Sequence, residues 1–141
     1  MAQLSLAQAN KIVEAALAKA RAMKIKPLAV AVLDSAGHVK SLQREDEASM
    51  FRNDIATGKA WAAVGMGASS RTLLGRAKEN PQFFGALAAT AQGKFLPQTG
   101  AVLIKDKDGT VLGAAGASGG TGDEDEACCI AGVEAAGLVA G

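Results

Sequence analysis

The chain has 141 residues, a net charge of +1 at pH 7, 49% hydrophobic residues and only 4% aromatic residues. This length suits one domain with a single hydrophobic core, and the balanced charge and scarce aromatic side chains argue against nucleic acid as a partner. No apolar run approaches the roughly 20 residues of a membrane span, and the first residues lack the features of a signal peptide. The two cysteines, Cys128 and Cys129, are adjacent, which suits a reducing compartment. We therefore expect a cytoplasmic protein.

The chain begins with a predicted amphipathic helix. Ser5, with Gln8 three residues later, is a capping-box pattern of the kind that starts many helices. Apolar side chains recur at helical spacing over residues 9–20, and Pro27 ends the pattern.

Two strands joined by a turn follow this helix. Residues 28–33 alternate bulky side chains with Ala29 and Ala31, so one face of the predicted strand is nearly flat. Such a face can closely approach a helix or another subunit. Residues 34–37 are typical turn residues, and residues 38–43 predict a more polar returning strand.

A run of helices is predicted in the middle of the chain. Residues 51–66 carry apolar side chains every three or four positions, Ser70 is the expected cap of a short helix to about Ala77, and Asn80-Pro81 begins another helix. The sequence contains no GxGxxG motif after a strand, no Walker loop, no CxxC pair and no His-rich metal cluster. It also shows no internal repeat and no linker.

The last third predicts a β-hairpin, a glycine loop and a helix. Residues 99–104 and 110–116 are apolar runs joined by a polar segment with an Asp-Gly step. Residues 117–122 are too rich in glycine for regular structure. Residues 123–126 could bind a cation, but we expect them to begin the final helix as solvated carboxylates that complement its dipole. The fold class is therefore α+β, a small antiparallel sheet flanked by helices. We expect a pocket where the glycine loop meets the final helix.

Three kinds of side chain admit two interpretations each. His38, the only histidine, is more readily an exposed turn residue than a catalyst or a haem ligand. Cys128 and Cys129 are expected to be small buried hydrophobes, because the neighbouring carboxylates oppose activation of a thiol at a helix start. Trp61 is expected to fill a core or interface position rather than to serve as a platform on which a substrate stacks.

Six short segments together carry a resemblance to a known family over nearly the whole chain: residues 29–37, 44–48, 59–63, 113–119, 123–127 and 131–132. In order and spacing they resemble the GlcG/HbpS-like haem-binding family, which includes the C-terminal domain of PduO-type cobalamin adenosyltransferases. The resemblance implies one profilin-like domain over residues 1–141, assembly into dimers and larger rings, and in some members binding or slow degradation of haem. Residues 97–100, Pro-Gln-Thr-Gly, depart from the Gly-Gly-Xaa-Pro turn that relatives often carry beside the expected pocket.

Two functions remain open. The first is a small-ligand, haem-type binding protein that is non-catalytic or weakly haem-degrading. The second is an enzyme of the isomerase, decarboxylase or hydrolase type acting on a small carboxylate or hydroxy acid. The two functions differ in whether the chain must supply side chains that ligate haem iron. His38 is poorly placed, and Met50, Met66 and the cysteines are expected to be buried, so haem would bind weakly or through an oxygen or lysine ligand.

Either function needs a pocket for carboxylates. Arg44 carries a planar fork that suits bidentate carboxylate binding, and Lys59 is expected to be partly desolvated, which makes it the general-base candidate. These two are the predicted catalytic and ligand-binding cations. The other predicted ligand-binding residues supply backbone N–H groups, a hydroxyl, or carboxylates that orient the cations: Ser118, Gly119, Gly120, Asp46 and Glu126.

Two further expectations concern the surface. As an alternative to the pocket, Arg44 and Lys59 would form solvated salt bridges with Asp46 and other acids, each worth roughly 0–1 kcal/mol. The flat strand face and the Ala- and Gly-rich helices favour close packing of chains, so we expect a homo-oligomer built on dimers.

Overall fold

The computed structural model describes residues 2–141 and contains helices on both sides of one sheet. The helices are α1 (Leu6–Ala22), α2 (Phe51–Met66), α3 (Ser70–Glu79), α4 (Pro81–Thr90) and α5 (Gly122–Ala135). The strands are β1 (Ala29–Asp34), β2 (Val39–Arg44), β3 (Ala101–Lys105), β4 (Val111–Ser118) and β5 (Val139–Ala140). The predicted α+β class, with an antiparallel sheet flanked by helices, is confirmed.

The strands form one antiparallel sheet in the order β2-β1-β4-β3-β5. Both predicted hairpins are present, since β1 pairs with β2 and β3 pairs with β4. The two hairpins meet where β1 pairs with β4, with Ala29 opposite Ser118. β5 pairs with the outer edge of β3. This last strand was not predicted, because two residues are too few to show an alternating pattern.

Helices cover both faces of the sheet. α1 and α5 pack on one face, against side chains that include Val30 and Val32 of β1. α2 packs on the other face, where Ala29 and Ala31 meet Ala56. The flat face of β1 is therefore covered by a helix of the same chain rather than by another subunit. α3 and α4 lie on the outer side of α2, around a cluster of Ala62, Leu73, Phe84 and Phe95.

Two local expectations are corrected by the structure. Ser69, not Ser70, caps α3, because its side chain accepts a hydrogen bond from the Thr72 backbone. Ser70 is instead buried, and its hydroxyl accepts from the Ala101 backbone N–H. β4 also extends through residues 117–118, which the sequence placed in the glycine loop. The extension forms because these small residues pair with β1.

The ends of α1 and α5 follow local sequence rules. The predicted capping box of Ser5 and Gln8 is present, and α5 begins with a second capping box, in which Thr121 and Glu124 exchange hydrogen bonds. The acidic first turn of α5 lies where it was predicted. Within residues 2–141, no helix combines the length and the hydrophobicity that crossing a membrane requires.

Candidate functional site

A buried ion pair joins α2 to α5 at one end of the sheet. Lys59 Nζ lies 3.2 Å from Asp125 Oδ2, and the two side chains are only 7% and 2% exposed. The Lys59 ammonium also donates to the Ala117 carbonyl oxygen at 3.0 Å. Asp125 Oδ1 accepts a hydrogen bond from the Gly120 N–H at 2.9 Å. Asp125 was expected to be a solvated carboxylate, and that expectation was wrong because this part of the first turn of α5 faces the sheet.

The electrostatics of this pair reflect its burial. Desolvation raises the pKa of the Asp125 carboxyl above its usual range, while Lys59 and the Gly120 N–H act in the opposite direction. A lysine ammonium has three N–H donors, and two of those of Lys59 have partners in Ala117 and Asp125. The third N–H of Lys59 has no partner among residues 2–141.

The ammonium group can occupy this position because residue 100 has no side chain. Gly100 is buried with φ 139°, and a Cβ atom there would lie 2.6 Å from Lys59 Nζ. Gly100 belongs to the segment 97–100, in which the sequence departs from the turn of the family it resembles. In this chain that segment leaves room for the lysine.

A cavity of about 600 Å³ opens beside the ion pair, and we call it the Lys59 pocket. Arg52 Nη1 donates to Ser118 Oγ at 3.1 Å across this pocket. Among residues 2–141, no carboxylate oxygen lies within 4.0 Å of the Arg52 guanidinium. Sequence reasoning did not select Arg52, although it lies seven residues before Lys59 and hence on the same face of a helix. The side chains that line the pocket include Arg52, Ile55, Lys59, Leu74, Leu96, Ser118 and Asp125.

The structure brings several of the predicted site residues together. Lys59, Ser118 and Gly120 all line the Lys59 pocket. Gly120 differs from its expected role, because its N–H is already used by Asp125. Gly119 adjoins the pocket but packs tightly against Pro27, where any side chain would overlap the Pro27 carbonyl oxygen.

The remaining predicted residues lie elsewhere. Arg44 Nη1 donates to the Ala48 carbonyl oxygen at 2.7 Å, and Arg44 and Asp46 line a separate shallow cavity beside α1. Glu126 accepts from Arg71 at 3.1 Å. Asp46 and Glu126 therefore do not orient Lys59, and Asp125 does so instead. The alternative of a solvated Lys59 salt bridge is also wrong, since the bridge is buried.

A second cavity of about 920 Å³ lies between β2, α2 and the segment before β3. Its volume is within the roughly 300–1,000 Å³ of small-molecule and cofactor pockets. Three of its apolar side chains are exposed: Phe51, Val39 and Leu42. Trp61 is half-buried and packs on the core as expected, but it also lines this cavity. We call it the Trp61 groove, and its lining includes His38, Val39, Leu42, Phe51, Ile55, Trp61 and Leu96.

Comparison with known families gives one match over most of the chain. A family profile described as "Haem degrading protein HbpS-like" matches residues 4–134. The chain belongs to the HbpS-like family. The resemblance seen in the sequence motifs is thereby confirmed.

Individual relatives support this membership. The HbpS-like chain is 29% identical over 125 residues to an uncharacterized 15.0 kDa protein in the dhaT-dhaS intergenic region of Citrobacter freundii, covering 89% of this chain and 86% of that protein. It is 26% identical over 122 residues to the corrinoid adenosyltransferase PduO of Citrobacter freundii, covering 86% of this chain but only 36% of PduO. The crystal structure of a PduOC:haem complex superposes with a TM-score of 0.87 at 25% identity, covering 97% of each chain.

The iron ligands available in this HbpS-like chain differ from those expected. His38 is exposed, as expected of a turn residue, but it also lines the Trp61 groove, so its position is more favourable for a ligand than the sequence indicated. Met50 was expected to be buried but is 72% exposed, and Met66 is half-buried. Cys128 and Cys129 are buried as predicted, and burial raises the pKa of the Cys128 thiol to about 11 and raises that of Cys129 as well. Of the side-chain types that ligate haem iron, the described lining of the groove contains His38 alone.

One polar atom in the Trp61 groove lacks a partner. Asn53 lines the groove, and its Oδ1 atom is buried without a hydrogen bond to any described residue. A buried polar atom without a partner costs about 1–3 kcal/mol. No group of three or more metal-ligating side chains occurs in residues 2–141. A flat apolar ligand with polar edges, such as haem, fits the residues that line this groove.

Proposed function

We propose that this HbpS-like protein binds haem in the Trp61 groove and is non-catalytic or only weakly haem-degrading. The observation that carries the proposal is the position of His38, the only histidine of the chain, on a large apolar groove. The similarity to a PduOC:haem complex over 97% of both chains supports the choice of ligand.

Each part of the groove has a role in this proposal. Trp61, Phe51 and Leu42 present apolar surface that would be removed from water by the macrocycle. His38 would ligate the iron, and Lys94 at the groove would pair with a propionate. When bound, haem would supply a redox-active iron centre. The residues of the chain bind and orient the ligand.

A haemin titration of the purified chain tests the proposal. We expect a saturable Soret shift at one equivalent per chain. In the His38→Ala variant we expect a changed Soret position and a Kd raised at least about tenfold, because the iron loses its protein ligand. Arg76→Gln, an exposed substitution on α3 outside the groove, is the control and should titrate like the parent. The absence of any saturable shift would refute haem binding, whereas an unaffected His38→Ala variant would refute His38 as the iron ligand.

We also propose an oligomeric state, a domain organisation and a cellular location for this protein. We propose a homo-oligomer built on a dimer, supported by the free edge of β2, since exposed strand edges pair readily with other chains. Light scattering that shows only a 14.2 kDa species would contradict it.

The packing of α1 against α5 on one sheet supports a single domain over residues 1–141, and limited proteolysis tests this proposal. The two free thiols suit a cytoplasmic location, testable by cell fractionation.

A further inference from the structure

We propose that the Lys59 pocket is a second binding site, separate from the Trp61 groove, which takes a small carboxylate of single negative charge through Arg52. The two cavities share only Ile55 and Leu96 in their linings. Arg52 is half-buried, and the one hydrogen-bonded partner of its guanidinium within residues 2–141 is the neutral hydroxyl of Ser118.

The ion pairs around the pocket leave Arg52 without an acidic partner. Lys59 and Asp125 pair with each other at 3.2 Å. Asp123, which also lines the pocket, shares Arg71 with Glu126. Arg52 is the cation of the described lining that has no carboxylate within 4.0 Å, and the carboxylate of a ligand would supply that partner.

The hydrogen-bonding groups determine the chemical class. A guanidinium presents its N–H groups in a planar fork that matches both oxygens of a carboxylate. The Ser118 hydroxyl accepts from Arg52 and keeps its own hydrogen to donate, and Lys59, which also lines the pocket, has a third N–H with no described partner. A ligand that accepts hydrogen bonds from both donors needs a further oxygen atom in addition to its carboxylate.

The pocket favours a carboxylate over a phosphate. The Gly120 N–H is already occupied by Asp125, and the two carboxylates in the lining, Asp123 and Asp125, repel a doubly charged phosphate more strongly than a singly charged carboxylate. Ile55 and Leu74 add apolar wall that suits a short carbon chain. The inferred ligand class is thus a short aliphatic carboxylate that carries a hydroxyl or oxo group.

Lactate and its neutral analogue lactamide are the probes, titrated at constant ionic strength by calorimetry and by backbone amide shifts. We expect saturable lactate binding that shifts the amides of Ser118 and Gly120, and no binding of lactamide. Arg52→Gln should raise the Kd for lactate at least about tenfold, and Arg52→Lys should fall between it and the parent. Arg76→Gln removes the same charge outside the pocket and should leave the Kd unchanged.

The inference is overturned if lactate fails to bind at tens of millimolar, if lactamide binds equally well, or if inorganic phosphate binds more tightly than lactate. A Kd unchanged by Arg52→Gln, in a variant whose circular dichroism matches the parent, overturns it as well. Because the site is separate from the groove, His38→Ala should bind lactate like the parent. Competition between lactate and haemin would refute that separation.

Discussion

Replacing Lys59 with methionine tests the buried ion pair at the end of the sheet. The variant removes the cation that lies 3.2 Å from Asp125 Oδ2 and leaves a carboxylate that is 2% exposed, with only the Gly120 N–H as a partner. Removing one member of a buried pair typically costs about 3–5 kcal/mol, because the other charge stays buried without compensation. We expect the free energy of unfolding of Lys59→Met to fall by about this amount at neutral pH.

Two further properties of the variant follow from the same reasoning. Burial already raises the pKa of the Asp125 carboxyl, and without Lys59 the opposing attraction is lost. The folded variant then binds a proton more readily than the unfolded chain does, so its loss of stability should shrink as the pH falls through the raised pKa. Asp125→Asn in the Lys59→Met background removes the uncompensated charge and should recover about 1–2 kcal/mol.

Urea unfolding followed by the fluorescence of Trp61, the only tryptophan, measures these effects. Lys11→Met is the matched control, because it removes a lysine from an exposed helical pair with Glu14, whose side chains are 52% and 76% exposed. We expect the control to change the free energy of unfolding by less than about 0.5 kcal/mol. If Lys59→Met costs no more than Lys11→Met, the pair is screened by water and the reasoning is refuted.

Two other predictions concern the backbone and the thiols. Gly100→Ala should cost about 2–4 kcal/mol of unfolding free energy, because the added Cβ meets Lys59 Nζ and φ is 139°. The control Gly109→Ala, at φ 91° with open space around it, carries only the backbone strain of about 1 kcal/mol. Equal losses of stability in thermal unfolding would contradict the contact with Lys59. Since burial raises the pKa of Cys128 from 9.0 to about 11 and that of Cys129 as well, the unfolded chain loses these protons first. The free energy of unfolding should therefore fall above pH 9 by up to about 1.4 kcal/mol per pH unit for each thiol. The variant Cys128→Ala/Cys129→Ala should lack this part of the slope, and an unchanged slope would show that the thiols do not cause it.

The elements of the fold could be predicted because their signals are local. The capping box at Ser5 and Gln8 depends on groups three residues apart, and the two hairpins depend on short apolar runs around a turn. The errors also have local causes. Ser69 and Ser70 both suit a helix cap, and only packing shows that the Ser70 hydroxyl is held by Ala101.

The sequence by itself therefore determined the fold class, the family resemblance and the burial of the cysteines, and it selected Lys59 and Ser118 as candidate site residues. Only the tertiary structure selected their partners. Arg52 meets Ser118, and Lys59 meets Asp125, across 66 residues of chain in each case. Four adjacent acidic residues begin α5, and all suit a helix start equally well in sequence. Which of them is buried depends on the rotation of α5 against the sheet, and that rotation is set by packing between elements that are distant in the chain.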